Sequence, residues 1–292
     1  ENKVIDRLTK GQIVLGEMAS PVKVNIHQFY GIEINDFACV VAKTAMWLAE
    51  LQMMQETQSI VEMNLDFLPL KSYVNIVEGN ALRMDWQEVL PAGECNYIMG
   101  NPPFVGYTYQ TKEQKEDIQN IFVDEKGKNY KAIGKIDYAS CWYFKTAEYM
   151  RKTNVQAALV STNSIVQGEQ VVAIWKPLIE RFAICINFAW QSFLWDSESK
   201  DKAHVYCVII GFGIARIIPK KIFFGNIHID CREINPYLLP APVAFVESRT
   251  MPLCDIPQMM AGNRPADGGA LIIEADEYAD FITKEPKAKK YM

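Results

Sequence analysis

The segment Cys95-Asn96-Tyr97-Ile98-Met99-Gly100-Asn101-Pro102-Pro103-Phe104 constrains the fold more than any other. Tyr97, Ile98 and Met99 form a short apolar run of strand character, and it ends abruptly. Gly100 tolerates backbone angles closed to other residues. Asn101 precedes a proline, which steers it away from helical angles. Pro102 and Pro103 fix two consecutive φ values and remove two amide donors. The chain must leave the strand as a stiff loop carrying a side-chain amide, a free carbonyl and an aromatic ring. In open α/β sheets the carboxyl edge of the strands is where ligands bind. A polar-Pro-Pro-aromatic tetrapeptide arises by chance in about one chain in a hundred of this size. An ordinary loop is therefore the weaker reading.

The flanking sequence supplies matching units. Residues 28–34, Gln-Phe-Tyr-Gly-Ile-Glu-Ile, read as a buried strand with Glu33 near its carboxyl end. Asn35 is a good helix N-cap. Phe37, Val40, Val41, Thr44, Ala45, Leu48 and Leu51 then recur with helical period to about Gln55. Methionines 46, 53, 54 and 63 read as packing. Val74 to Val77 form a second strand, closed by Glu78-Gly79-Asn80-Ala81-Leu82. Repeated strand–turn units with helices between them predict a parallel α/β sheet. A helix over 2–17 precedes them.

Downstream, Thr111 caps a charged helix, Lys112 to Phe122, and residues 123–135 read as a mobile loop. Asp137 or Ser140 caps a helix to about Lys152. A strand from Val155 to Val160 ends in Ser161-Thr162-Asn163-Ser164. A helix from Glu169 to Arg181, a strand over 183–189, a loop over 190–202 with Trp190, Phe193 and Trp195, and a strand from Ala203 to Phe212 follow. From Arg216 the texture changes to short strands, a proline-rich run and an acidic helix over 274–282. Residues 1–215 are read as the catalytic unit, and 216–292 as an extension leaving the sheet.

Composition narrows the function. Hydrophobic residues at 49% and charged residues at 22% suffice for a full core. Seven scattered cysteines form no Cys-x-x-Cys pair, which argues against a disulfide framework or zinc site and for a reducing cytoplasm. Three distant histidines suggest neither a metal cluster nor a histidine triad. No apolar run reads as a membrane span, and the first residues do not read as a signal peptide. A net charge of −5 argues against gripping nucleic acid by bulk charge, and leaves room for a local basic groove.

The Asn101 side-chain oxygen and the Pro102 carbonyl are two neighbouring acceptors. They suit an exocyclic amino group, which carries two donors. The amino nitrogen of adenine is a weak nucleophile because its lone pair is delocalised into the ring. Acceptors on both hydrogens favour a more pyramidal nitrogen, which is preorganisation toward charge developing in the transition state. Phe104 offers a face for stacking the base, which must first leave the duplex at a cost of about a few kcal/mol.

At these residues the chain resembles the S-adenosylmethionine-dependent amino-group DNA methyltransferases, in particular the adenine-N6 enzymes. Gly100-Asn101-Pro102-Pro103-Phe104 is similar to their signature. Phe29-Tyr30-Gly31-Ile32-Glu33-Ile34-Asn35 resembles their second strand, and Gly79-Asn80-Ala81-Leu82 the turn after the third. Lys135-Ile136-Asp137-Tyr138 and Val160 to Ile165 fall where later motifs lie. The whole series is similar to the methyltransferase region of bifunctional restriction–modification enzymes.

The resemblance implies a Rossmann-like class I methyltransferase sheet. It implies catalytic roles for Asn101, Pro102, Pro103 and Phe104, and cofactor contacts at Glu33, Ile34, Asn80, Ala81, Leu82 and Asn101. The partner it implies is double-stranded DNA, with an upstream nuclease and a downstream target-recognition domain in the full-length chain. Two departures stand out. Nothing in residues 1–27 resembles the glycine-rich cofactor loop, so that loop and the first strand are expected to be missing; and Asn80 stands where an aspartate is usual.

Each residue has a plainer reading. Glu33 fits a ribose ligand better than a solvated strand end. Asn80 fits a turn residue equally well. Asp137 reads as a helix cap, and Asn163 as a residue satisfying backbone groups. Trp142 and Phe144 read as core; Phe193 and Trp195 read as packing ahead of a role covering the flipped base, and Lys126, Lys128, Lys131 and Lys135 as a solvated loop ahead of phosphate contacts. Rival functions are methylation of cytosine N4 or of a protein glutamine, and a non-catalytic module binding DNA or a partner subunit.

Overall fold

The computed structural model describes residues 23–61, 75–195, 205–249, 251, 254–256 and 272–290. The expected helix over 2–17, Met63, Val74, the end of the 190–202 loop and most of the proline-rich run lie outside them. The chain divides at residue 247 into two units.

In the first unit, β1 (Tyr30–Glu33) is followed by α1 (Asp36–Val61) and β2 (Asn75–Glu78). Asn35 caps α1, its Oδ1 accepting from Ala38 N at 2.8 Å. The helix runs six residues past the expected Gln55, to Val61. Strands β1 and β2 are parallel, with Glu33 in register with Glu78. Parallel neighbours need a crossover, and α1 is that crossover. By length and composition alone Asp36–Ile60 is also apolar enough to cross a membrane, which corrects the sequence reading that no such run exists. Its place between two hydrogen-bonded parallel strands is that of a sheet-covering helix.

The remaining strands form a six-stranded sheet in the order β3-β4-β6-β5-β7-β8. They are β3 (Tyr97–Gly100), β4 (Gln156–Thr162), β5 (Cys185–Trp195), β6 (Val205–Gly213), β7 (Lys220–Phe224) and β8 (Ile227–Cys231). Strands β3 and β4 are parallel, whereas β6 runs antiparallel to both β4 and β5. A wholly parallel sheet is thus corrected to a mixed one. No helix intervenes between β5 and β6 among the described residues, so the chain returns beside β5 as an antiparallel neighbour. This is an α/β sheet whose mixed topology agrees with a class I, Rossmann-like fold. Strands β7 and β8 continue the sheet, β7 parallel to β5, instead of leaving it.

Helices α2 (Trp86–Val89), α3 (Lys112–Ile121), α4 (Ser140–Tyr149) and α5 (Gly168–Phe182) complete this unit. Thr111 caps α3 as expected, in a reciprocal box with Gln114. The core lies where α4 and α5 meet the sheet. Tyr143 stacks on Phe212 at 5.3 Å and meets Trp175 edge-on at 5.6 Å. All three are fully buried, and Tyr143 hydrogen-bonds Ser161 Oγ at 2.9 Å inside the core. Residues 123–130 are an ordered turn: Asp124 Oδ1 accepts from the amides of Lys126 and Lys128 at 2.8 and 2.9 Å. The second unit contains α6 (Tyr278–Lys284) and a short 3-10 turn, Pro286–Lys290.

Candidate active site

Strand β3 ends at Gly100, which is in register with Leu159 of β4. A Cβ at Gly100 would approach the Leu159 side chain to 3.3 Å, so glycine lets the strands close at the start of the loop. Asn101 and Pro103 are exposed, Pro102 is buried and Phe104 half-buried. The loop's internal bond uses the Pro103 carbonyl, which accepts from Val105 N at 3.2 Å. The Val105 carbonyl accepts from Tyr138 N at 3.0 Å. Trp195 meets Phe104 edge-on, 6.4 Å between centroids, and Phe193 lies 6.3 Å from Trp195. Residues 190–195 are therefore the end of β5 and not a loop, and they bring Trp195 to the site.

The end of β4 is held from beneath by Asp137. Its carboxylate is buried and must be hydrogen-bonded. Oδ2 accepts from Thr162 Oγ1 at 2.8 Å and from Ser164 Oγ, and Oδ1 from Gln170 Nε2 at 3.2 Å. Asp137 is thus no helix cap: no side chain caps α4. Asn163 donates to Ser192 Oγ at 3.5 Å, linking the β4 end to β5.

The second cluster lies at the carboxyl ends of β1 and β2. Register pairing sets Glu33 beside Glu78 at the ends of the two strands. Gly79 N donates to Glu33 O at 2.7 Å and carries the chain into the Asn80 turn. Asn80 Oδ1 accepts from Leu82 N at 2.9 Å, the turn role weighed for it. Ala81 O accepts from Trp86 Nε1 at 2.8 Å, Leu82 is buried and Ile34 is exposed. Glu33, Asn80, Ala81 and Leu82 are thereby brought together, while Asn101 to Phe104 form their own group on β3.

Three residues join the groups, and sequence reasoning missed two of them. Arg83 Nε donates to Asp117 Oδ1 at 2.8 Å, and Tyr138 OH donates to Asp117 Oδ2 at 2.7 Å. The hydrogen bond to Asp117 and then its charge hold the Arg83 guanidinium above its ordinary pKa. Burial, and then the same carboxylate, push the Tyr138 phenol up. Arg83 and Asp117 stand 34 positions apart with no motif between them, so no sequence signal marks them. Tyr138 stood inside a quoted motif without a role.

Chemically, one edge offers two carboxylates beside a rigid turn, suited to hydroxyl and amino donors. The other offers an exposed amide oxygen beside an aromatic pair, suited to a flat amino-bearing ring. Residues 1–224 match the family model described as MmeI, DNA-methyltransferase domain. The chain belongs to this family. Residues 240–292 match the MmeI target recognition domain model. The chain is 42% identical over 295 residues to DNA methyltransferase A of Bacillus subtilis (strain 168), across 100% of its own length and 32% of that protein. It superposes on the structure of the type IIL restriction-modification enzyme MmeI in complex with DNA with a TM-score of 0.81 and 36% identity, covering 99% of this chain and 39% of that one. The chain thus spans about a third of the first relative's length and about two fifths of the second's.

Proposed function

We propose that the full-length protein transfers a methyl group from S-adenosylmethionine to N6 of a flipped adenine in double-stranded DNA, as the modification activity of a restriction–modification enzyme. The observation that carries this is the stiff Gly100–Phe104 loop on β3, faced by Trp195, in a chain of the MmeI methyltransferase-domain family.

The cofactor fits the residues present. Glu33 and its register partner Glu78 carry carboxylates suited to ribose hydroxyls, and the Asn80–Leu82 turn with the exposed Ile34 suits an adenine edge. Bound there, the cofactor supplies an electrophilic methyl group on sulfur. The chain's own residues do the rest. Asn101 Oδ1 and the Pro102 carbonyl accept the two amino hydrogens of the target base and turn its lone pair outward. Phe104 and Trp195 hold the base by its ring. The proline pair keeps both acceptors in place without reorganisation.

The finer architecture belongs to the same reading. In the full-length protein a further parallel strand, followed by its glycine-rich loop, lies between β1 and β3. In support, among the described residues β1 pairs only with β2 and β3 only with β4. Tyr97 and Met99 are 77% and 79% exposed on β3, and Phe37 on α1 is 74% exposed. The catalytic unit is taken as residues 1–215, with β7 and β8 of the following segment prolonging its sheet. Residues 240–292 contribute to target recognition, a nuclease precedes the unit, and the seven scattered cysteines suit the cytoplasm.

The test is methylation of duplex DNA by the full-length protein with labelled S-adenosylmethionine, followed by nucleoside digestion. Label in N6-methyladenine, lost in Asn101→Ala with duplex binding kept, supports the assignment. Label in N4-methylcytosine or in protein selects a rival, and full activity in Asn101→Ala removes the site.

A further inference from the structure

A continuous path of hydrogen bonds joins the turn that carries Asn80 to the loop that carries Asn101. Arg83 stands at the end of the turn, Asp117 on α3 and Tyr138 before α4. Arg83 reaches Asp117 at 2.8 Å and Tyr138 OH reaches the other carboxylate oxygen at 2.7 Å. Tyr138 N donates to Val105 O at 3.0 Å, and Val105 N to Pro103 O at 3.2 Å. The path thus runs from the Asn80 turn into the proline pair through one carboxylate.

That carboxylate is exposed by only 5%, whereas the Arg83 side chain is exposed by 54%. A buried charge stays favourable only while its oxygens are satisfied. Here each oxygen takes a donor from a different element, so loss of either donor unsettles the hold on the other. Tyr138 is fixed in turn by Trp142, edge-on at 5.4 Å. Lys145 Nζ separately reaches Leu82 O at 3.4 Å, so the turn stays attached to α4 when the Arg83 bond is lost.

We propose that Asp117 is a positioning residue which, through Arg83 and Tyr138, sets the Asn80 turn against the Asn101–Phe104 loop and so fixes the separation of cofactor and target amine. The proposal rests on the methyltransferase reading. Asp117 touches neither reactant and acts only through the distance it maintains. An in-line transfer is sensitive to that distance, since a misplacement of about 1 Å costs about a hundredfold in rate.

The test uses the full-length protein and the variants Arg83→Gln, Tyr138→Phe and their combination, all of which leave Asp117 in place. Three quantities are read: kcat at saturating cofactor and duplex, the KM values, and the stoichiometry of S-adenosylmethionine binding by calorimetry. Each single change is expected to lower kcat about tenfold with KM values held within about twofold and full stoichiometry. The double variant is expected to lose about the same tenfold, because either change alone breaks the path; independent effects would multiply to about a hundredfold. Unchanged kcat in the single variants, multiplicative loss in the double, or a loss matched by lower binding stoichiometry overturns the proposal. Wild-type activity separates the two readings. A wild-type protein that binds cofactor and methylates no adenine overturns the methyltransferase reading and the positioning role with it. A wild-type protein that methylates, with variants that do not follow the pattern, overturns the positioning role alone.

Discussion

The ring of Trp195 meets the ring of Phe104 at an interplanar angle of 86°, with centroids 6.4 Å apart. An edge-to-face pair of this kind is worth about 0.5–1.5 kcal/mol beyond its buried area. It braces Phe104, the ring proposed to stack on the target base. Trp195→Ala in the full-length protein is therefore expected to raise the KM for duplex DNA about three- to tenfold, with the affinity for S-adenosylmethionine unchanged. Steady-state methylation at varied duplex concentration reads the first and calorimetry the second. An unchanged KM for DNA makes the contact ordinary packing.

Glu33 carries the cofactor assignment. A carboxylate accepting from ribose hydroxyls makes charge-assisted bonds of about 1.5–3 kcal/mol, so Glu33→Gln should weaken S-adenosylmethionine binding about ten- to a hundredfold. Glu78→Gln, one strand over and more exposed, should weaken it less. Titration calorimetry on the full-length protein gives both. Equal effects would mean that the two carboxylates share the ligand; no effect from Glu33 would remove it from the site.

What the sequence disclosed and what it hid divide along the range of the forces. The caps at Asn35 and Thr111 and the loop after Gly100 are set by neighbours within four positions, and each was read correctly as local structure. Strand β5 was cut short because irregularities between Ile186 and Phe188 and between Trp190 and Phe193 break its period of two. That error made Trp195 look like a loop aromatic. Asp137 looked like a cap because aspartate favours that position, but burial beneath Thr162 and Ser164 gives its carboxylate better partners. The Arg83–Asp117 bond links an exposed guanidinium to one charge among several on a charged helix. Only the packed structure says which one.

Gly211 tests the packing of the sheet. It sits on β6 in register with Phe188 of β5, and a Cβ there would fall 2.0 Å from a ring carbon of Phe188. The ring must turn away from its edge-on partner Phe223, 6.4 Å off. Gly211→Ala is expected to destabilise the fold by about 1–3 kcal/mol, as overpacking does. Urea unfolding measures it, and Phe188→Leu in the same background should recover part of the loss. An alanine variant as stable as wild type would mean that the ring moves freely, and would weaken the account of the β5–β6 contact.

Alkaline pH should unfold the protein, and the sign follows from burial. The thiols of Cys95, Cys141, Cys185, Cys207 and Cys231 are all pushed up, in each case first by burial. The phenols of Tyr138, Tyr143 and Tyr149 are pushed up for the same leading reason. In the unfolded chain these groups release protons near their ordinary values, about 8.5 for thiols and about 10 for phenols. The folded chain keeps them longer. Above about pH 8.5 the unfolded state therefore binds fewer protons than the native state, and stability falls as pH rises. Lys220 acts the other way. Burial lowers its pKa, so just below the ordinary lysine value of about 10.4 the unfolded state holds the extra proton and stability gains with pH. One amine against eight acids leaves the net slope downward. Urea midpoints measured from about pH 7 to 11 should fall beyond about pH 8.5, and Tyr143→Phe should flatten the upper part of the curve by removing the most enclosed phenol. A midpoint that stayed level across that range would mean that these side chains reach water in the native state, contrary to the packing of Tyr143 between Phe212 and Trp175.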